Sequence, residues 1–200
     1  MFMDQDCTRL LCVRHGESEG NRERRFCLTP DVPLTALGRE QALQAAALIR
    51  SRFRPSRVIS SPYRRAWETA ELIAATLELP LVADAGLREQ DIGRFAGQPY
   101  EAVLADASFQ EQNPWSWRPP GGESLEDVAA RVVPAVQRIA ENHRSQELVL
   151  VTHAGVIRAL CAAACGEWNR IPTARNGQLI VIDYHCGRFV VREPGESGLP

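Results

Sequence analysis

The sequence predicts an α/β fold: a single domain over residues 1–200 with a mostly parallel central sheet, helices on both faces and a terminal hairpin. Three observations lead to it. Short apolar runs of buried-strand type alternate with longer segments of helical spacing. Two of those runs end alike, in a histidine with a glycine close behind: Val13-Arg14-His15-Gly16 and Val151-Thr152-His153-Ala154-Gly155. A 44% hydrophobic content over 200 residues is enough to bury one substantial core without metals or staples.

Residues 9–13 read as the first strand, which the polar, glycine-containing stretch from His15 ends. Residues 35–53 place Leu37, Ala42, Leu43, Ala46, Ala47, Ile49 and Phe53 at roughly helical spacing, with Thr35 as N-cap and Pro55 beyond the end. A second strand at 57–60 is followed by Pro62, which introduces an amphipathic helix that Pro80 ends. Residues 81–83 form a brief third strand. Gly86, Gly93, Gly97 and Pro99, and then Pro114, Pro119, Pro120, Gly121 and Gly122, punctuate two loop-rich regions of the kind that cover sites. Ser124 with Asp127 three residues on makes a near capping box for a long helix in which Pro134 should produce a kink. Residues 147–151 are a strongly apolar strand, and His153 then leads into an apolar helix. Residues 178–183 and 188–192 read as a closing hairpin around the turn Tyr184-His185-Cys186-Gly187.

Composition narrows the chemistry. A formal charge of −2 gives no field of one sign to attract nucleic acid or an acidic membrane. All 23 basic residues are arginine, so lysine chemistry is excluded and any anion held by cationic side chains is held chiefly by arginine, which can fork onto two oxygens. The six cysteines include no C-x-x-C pair and are read as reduced, mostly buried thiols, with Cys12 in the core. The start of the chain lacks a signal-peptide pattern and no 18-residue apolar run occurs, so a soluble cytoplasmic protein is expected.

In open α/β sheets ligands bind at the carboxyl ends of parallel strands, so His15 and His153 would share one crevice if their strands are neighbours. Arg14 and Asn21 lie near His15 in sequence, and Arg64 and Arg65 follow the second strand. Cations and donors of this kind suit a phosphoryl group in transfer to an imidazole. His143 and His185 are read as structural or exposed. Arg24, Arg25, Phe26, Trp115 and Trp117 could line a substrate entrance; equally, the tryptophans could pack a loop against the body and the arginines be solvated.

The segment LLCVRHGESEGN resembles the R-H-G-E-[ST]-x-x-N signature of the histidine phosphatase superfamily, which includes the cofactor-dependent phosphoglycerate mutases. The likeness continues in family order through PDVPLTALGREQA, SSPYRRAWETA, LREQDIGRFAG, PPGGESLEDVAARV and VLVTHAGVIRAL, covering roughly Leu11 to Leu160. It implies a phosphoglycerate mutase-like fold. It also implies His15 as nucleophile, a phosphate pocket of Arg14, Arg65 and His153 assisted by Asn21, and Glu89 as proton donor. Arg65, directly before the alanine of S-P-x-x-R-A, is preferred over Arg64. Arg25, Ser18 and Ala154 complete the candidate substrate contacts, and Ala154 departs from the glycine that family members often carry there.

The expected reaction is phosphomonoester hydrolysis through a phosphohistidine, without metal or cofactor. Glu89 would have a raised pKa, and His153 would be cationic when phosphate is bound. The alternative is a cofactor-dependent phosphoglycerate mutase. In mutases the interval corresponding to Glu89–His153 resembles a long basic insertion, whereas here it is short and comparatively acidic, which favours the hydrolase. A non-catalytic phosphate-binding protein is a third reading. The expected partner is a small phosphomonoester, with no nucleic acid or membrane, and a homodimer could form on the edge of the terminal hairpin.

Overall fold

The computed structural model describes residues 7–169 and 171–192. In chain order the elements are β1 (Thr8–Arg14), α1 (Glu19–Arg22), α2 (Ala36–Arg52), β2 (Arg57–Ser60), α3 (Arg64–Leu77), β3 (Leu81–Ala83), α4 (Glu101–Leu104), α5 (Leu125–Glu141), β4 (Glu147–Thr152), α6 (Ala154–Cys165), β5 (Leu179–His185) and β6 (Arg188–Val191). Two single-turn 3₁₀ helices, Ala85–Leu87 and Gly93–Phe95, lie between β3 and α4. The strands form one sheet in the order β3-β2-β4-β1-β5-β6. β3, β2, β4 and β1 run parallel, while β5 and β6 are antiparallel to their neighbours, so the sheet is mostly parallel with a terminal hairpin.

Strand alternation divides the core between two faces. Leu10, Cys12, Leu148, Leu150 and Ile182 pack with Val128, Val132 and Val136 of α5 and Val156, Ile157 and Leu160 of α6. Leu11, Val13, Val58, Val149 and Val151 pack with Ala45, Ala46 and Ile49 of α2 and Ala66, Ala70 and Ile73 of α3. Being covered on both sides explains why β1 and β4 read as continuous apolar runs rather than alternating ones.

Several boundaries follow the expected capping chemistry. The Thr35 side chain accepts from Gly38 N–H at the head of α2, and Ser124 and Asp127 form a complete capping box on α5. α5 runs unbroken through Pro134; the missing donor falls on the solvent face, where both Pro134 and Ala130 are exposed. The α2 stripe differs from the sequence expectation. Ala42, Ala45, Ala46 and Ile49 are buried at i, i+3, i+4 and i+7, whereas Leu37, Leu43 and Ala47 face outward. The smaller side chains let α2 seat closely on the alanine-rich face of α3. The closing turn is narrower than expected: Tyr184 and His185 still pair with Phe189 and Arg188, leaving only Cys186 and Gly187, both at positive φ, as the two-residue connection. Of the free cysteines, Cys7, Cys12 and Cys161 are buried, Cys27 is half-buried, and Cys165 and Cys186 are exposed. Among the described residues no helix is long and apolar enough to cross a membrane.

Candidate active site

β1 and β4 are parallel neighbours with Arg14 opposite Thr152, and the ladder runs one residue further through His15 N–H to Thr152 carbonyl at 2.9 Å. His15 and His153 therefore leave adjacent strand ends together, their ring centroids 5.1 Å apart at 65°. Each imidazole is held by one specific bond. His15 Nδ1 lies 2.7 Å from the Gly16 carbonyl, which can only accept, so the Nδ1–H tautomer is selected and Nε2 is left as an acceptor. His153 Nε2 meets Ser61 Oγ at 2.8 Å, while its Nδ1 is buried with no partner and lies 3.9 Å from Glu89 Oε2.

Arg65 reaches in from the first turn of α3. Its Nε donates to His15 Nε2 at 3.2 Å, and its guanidinium stands over the Tyr63 ring at 5.3 Å. The neighbouring Arg64 points outward onto Glu68 and Asp31. Arg14, at the end of β1, donates to the Ala174 carbonyl at 2.6 Å. Neither Arg14 nor Arg65 forms a salt bridge among the described residues, and Arg14 Nε and Arg65 Nη1 are buried without partners. Cationic donors gathered in one place without partners are the chemistry that suits an anion.

These charges govern the titration of the site. Burial, then Arg65 and Arg14, hold His15 well below the ordinary imidazole value of 6.5, and burial and Arg65 do the same to His153. Both shifts favour the neutral ring, and the cationic His153 expected from sequence refers to the state with phosphate bound. Burial pushes the Glu89 carboxyl above the usual 4.5 despite the opposing pull of Arg65. Glu89 Oε1 accepts from Gln90 N–H at 2.9 Å, and its backbone carbonyl is held by Arg131, which also clasps Glu123. Gly155 is the residue that admits Glu89, since a Cβ there would lie 2.8 Å from Glu89 Oε1.

The loop carrying His15 is fixed to the start of α2. A Cβ on Gly16 would stand 2.1 Å from the Gly38 carbonyl oxygen, and one on Gly38 would stand 2.1 Å from the Glu17 carbonyl oxygen. Gly16 N–H donates to Thr69 Oγ1 on α3, so three elements converge behind the imidazole.

A cavity of about 650 Å³ opens over this constellation. Arg14, His15, Asn21, Arg25, Arg65, Glu89 and Ala154 line it, as do the apolar side chains of Phe26, Leu28, Ile92 and Leu125. His153 is fully buried beneath. Ser18 does not line it: it is buried as the N-cap of α1, its hydroxyl donating to Asn21 Oδ1. Arg24 pairs with Glu101 outside the cavity. Trp117 is buried against Phe95 and Phe109, and Trp115 stacks on Trp168, so neither tryptophan belongs to the entrance. His143 bonds the Ile139 carbonyl at the end of α5, and His185 sits beside Cys186 at the far hairpin. Among the described residues no cluster of His, Cys, Asp or Glu is arranged to hold a metal ion.

Some contributors escaped the sequence reading. Asn176 donates to the His15 carbonyl at 3.1 Å and to Asn21 Oδ1 at 3.0 Å. Its Asn-Gly pair signals a turn, but nothing local links that turn to a residue 161 positions earlier. Tyr63, Tyr100 and Arg158 also line the cavity, and Ser61 holds His153. Ser61 and Arg158 fall inside the segments that carry the family likeness, yet their spacing alone gave no role.

Comparison with known proteins gives a consistent set. The family model described as the histidine phosphatase superfamily (branch 1) matches residues 10–196. Phosphoglycerate mutase-like protein 4 of Arabidopsis thaliana is 37% identical, over 78% of this chain and 71% of that protein. Glucosyl-3-phosphoglycerate phosphatase of Mycolicibacterium vanbaalenii is 35% identical, over 79% of this chain and 74% of its own length. A solved mycobacterial glucosyl-3-phosphoglycerate phosphatase in complex with VO3 superposes with a TM-score of 0.83 at 30% identity, covering 92% of this chain and 97% of that one.

Proposed function

The chain belongs to the histidine phosphatase superfamily (branch 1), and on that premise we propose that it is a metal-independent phosphomonoester hydrolase of the histidine acid phosphatase type, working through a phosphohistidine on His15. The observation that carries this reading is the His15 ring, with Nδ1 held by the Gly16 carbonyl, Nε2 accepting from Arg65 Nε, and buried nitrogens of Arg65 and Arg14 left without partners beside it. Relatives named as phosphatases support hydrolysis over mutase chemistry, and the solved relative's VO3 complex supports an oxyanion site of this kind.

In the proposed reaction His15 Nε2 attacks phosphorus in line as the P–O ester bond breaks. Arg14, Arg65, His153 and the Ala154 N–H at the start of α6 stabilise the phosphoryl oxygens, with Asn21 and Arg25 on the cavity wall. Glu89 gives its proton to the departing alkoxide. As a carboxylate it then takes a proton from the water that attacks the phosphohistidine, restoring His15 and releasing phosphate. The two pKa shifts make this possible together. With ordinary values of 6.5 and 4.5, a neutral imidazole and a protonated carboxyl would coexist in only about 1% of molecules at best; moving the first down and the second up opens a working pH window.

The test is phosphate release from a panel of phosphomonoesters that includes 3-phosphoglycerate. His15→Ala should lose roughly 10⁴-fold or more. Glu89→Gln should remove the alkaline limb of the kcat/KM profile and slow esters with poor leaving groups more than p-nitrophenyl phosphate. Conversion of 3- to 2-phosphoglycerate with negligible phosphate release would instead identify a mutase. Binding of phosphate without turnover would identify a sensor.

A further inference from the structure

Glu89 stands in the loop between the two 3₁₀ helices, so no regular element of its own fixes its backbone. α5 does that instead. Arg131, Ala135 and Arg138, at i, i+4 and i+7 on one face of α5, all meet the segment that leads to Glu89. Arg138 Nη2 donates to Asp84 Oδ2 at 2.7 Å, and Ala135 packs so closely that a Cβ on Gly86 would stand 2.6 Å from its methyl. Arg131 reaches furthest: Nη1 donates to the Gly86 carbonyl at 3.1 Å and Nη2 to the Glu89 carbonyl at 3.0 Å.

Arg131 is itself held, since its Nε and Nη2 fork onto the Glu123 carboxylate at 2.8 and 3.0 Å. Glu123 in turn grips the chain just past Glu89. Its Oε2 accepts from Asp91 N–H at 3.1 Å, its N–H donates to the Asp91 carbonyl at 2.7 Å, and its carbonyl accepts from Gln90 Nε2 at 2.6 Å. The pair therefore brackets Glu89 from Gly86 on one side to Asp91 on the other. We propose that Arg131 and Glu123 are the positioning pair for the proton donor, fixing how the Glu89 carboxyl is presented to the cavity. Geometry rather than charge carries the effect: burial raises the Glu89 pKa, and Arg131 opposes that less than Arg65 or Arg14 does. A planar guanidinium can serve a carboxylate and two carbonyls together, which a lysine ammonium cannot. The inference rests on Glu89 as proton donor in the phosphohydrolase reading and adds what aims it.

The experiment measures kcat/KM along a series of para-substituted phenyl phosphates, in which the shape of the ester is nearly constant and the leaving oxygen's need for a proton varies. Arg131→Gln should slow phenyl phosphate about 10²-fold, but p-nitrophenyl phosphate, whose leaving group needs little help, by less than about threefold. Arg131→Lys should recover little of the loss. In a Glu89→Gln background Arg131→Gln should cost phenyl phosphate nothing more, because there is no donor left to aim. Calorimetric binding of inorganic phosphate to Arg131→Gln should match wild type. Equal slowing of every ester, a further loss in the Glu89→Gln background, full recovery in Arg131→Lys or loss of phosphate binding each overturns the proposal. Should Arg131→Gln fail to fold, Glu123→Gln is read by the same leaving-group slope, double variant and phosphate binding. A Glu89→Gln variant slow on phenyl phosphate beside an unaffected Arg131→Gln sinks the positioning role alone. A Glu89→Gln variant as fast as wild type, or a wild type that releases no phosphate, sinks the proton-donor reading and the positioning role with it.

Discussion

Arg9 and Arg14 stand at opposite ends of the same strand and have opposite fates. Arg9 forks onto Asp183 at 2.8 and 3.1 Å, Arg192 clasps the same carboxylate, and Glu147 lies 3.5 Å away. The hydrogen bond to Asp183 raises the Arg9 pKa, whereas burial lowers that of Arg14, which has only a backbone carbonyl as partner. At one end of β1 the charges are matched and contribute to stability; at the other they are left unmatched, which costs stability and suits the anion site proposed there. One sheet thus separates what holds the fold from what the fold is for.

The sharpest way to break this contrast is Arg14→Met. Steady-state kinetics should show kcat/KM reduced by about 10²–10³, or roughly 3–4 kcal/mol of transition-state stabilisation, while the thermal midpoint changes little or rises. A variant that melts early yet turns over normally would make Arg14 structural instead. Arg9→Met should behave the other way, losing about 2 kcal/mol in urea unfolding with kcat/KM close to wild type; the loss is smaller than for a fully buried pair because Arg192 remains on Asp183.

The last difference between the two ends concerns pH. His15 and His153 have folded pKa values depressed below 6.5, so the unfolded chain binds their protons more readily and stability declines as pH falls from 6.5 toward those lowered values. Glu89, with its raised value, offsets part of this by taking up its proton earlier in the folded state. Asp183 is depressed from 3.8, and its contribution persists until stronger acid. Melting curves from pH 7 to 3 should therefore show an early decline that His153→Gln flattens, and a late one that Arg9→Met flattens. A single decline below pH 4, unchanged in His153→Gln, would remove the distinction.

What could be read from the sequence followed the range of the forces involved. The apolar runs of β1 and β4, the Thr35 and Ser124 caps and the alternation of elements are local and were legible, as was the meeting of His15 and His153 once their strands are neighbours. The outward face of Leu37 and Leu43 was not, because two apolar stripes compete on α2 and only the alanine surface of α3 decides between them. Asn176 and Tyr63 were hidden for a related reason: Asn176 holds the His15 carbonyl and Tyr63 packs edge-on to the His153 ring, through contacts that sequence spacing does not encode. Trp115 and Trp117 stayed open between two readings because an aromatic in a glycine- and proline-rich loop packs that loop as readily as it greets a ligand.

The contact between Gly16 and Gly38 limits how this molecule could be rebuilt. Each residue is already the smallest available, and each faces backbone, so no compensating truncation elsewhere can relieve a larger side chain at either position. The loop that carries His15 and the first turn of α2 are consequently one inheritable unit. A chimera that exchanges the loop but keeps a foreign helix start would misplace His15, whereas one that transfers residues 15–38 together needs only Thr69 of α3 besides.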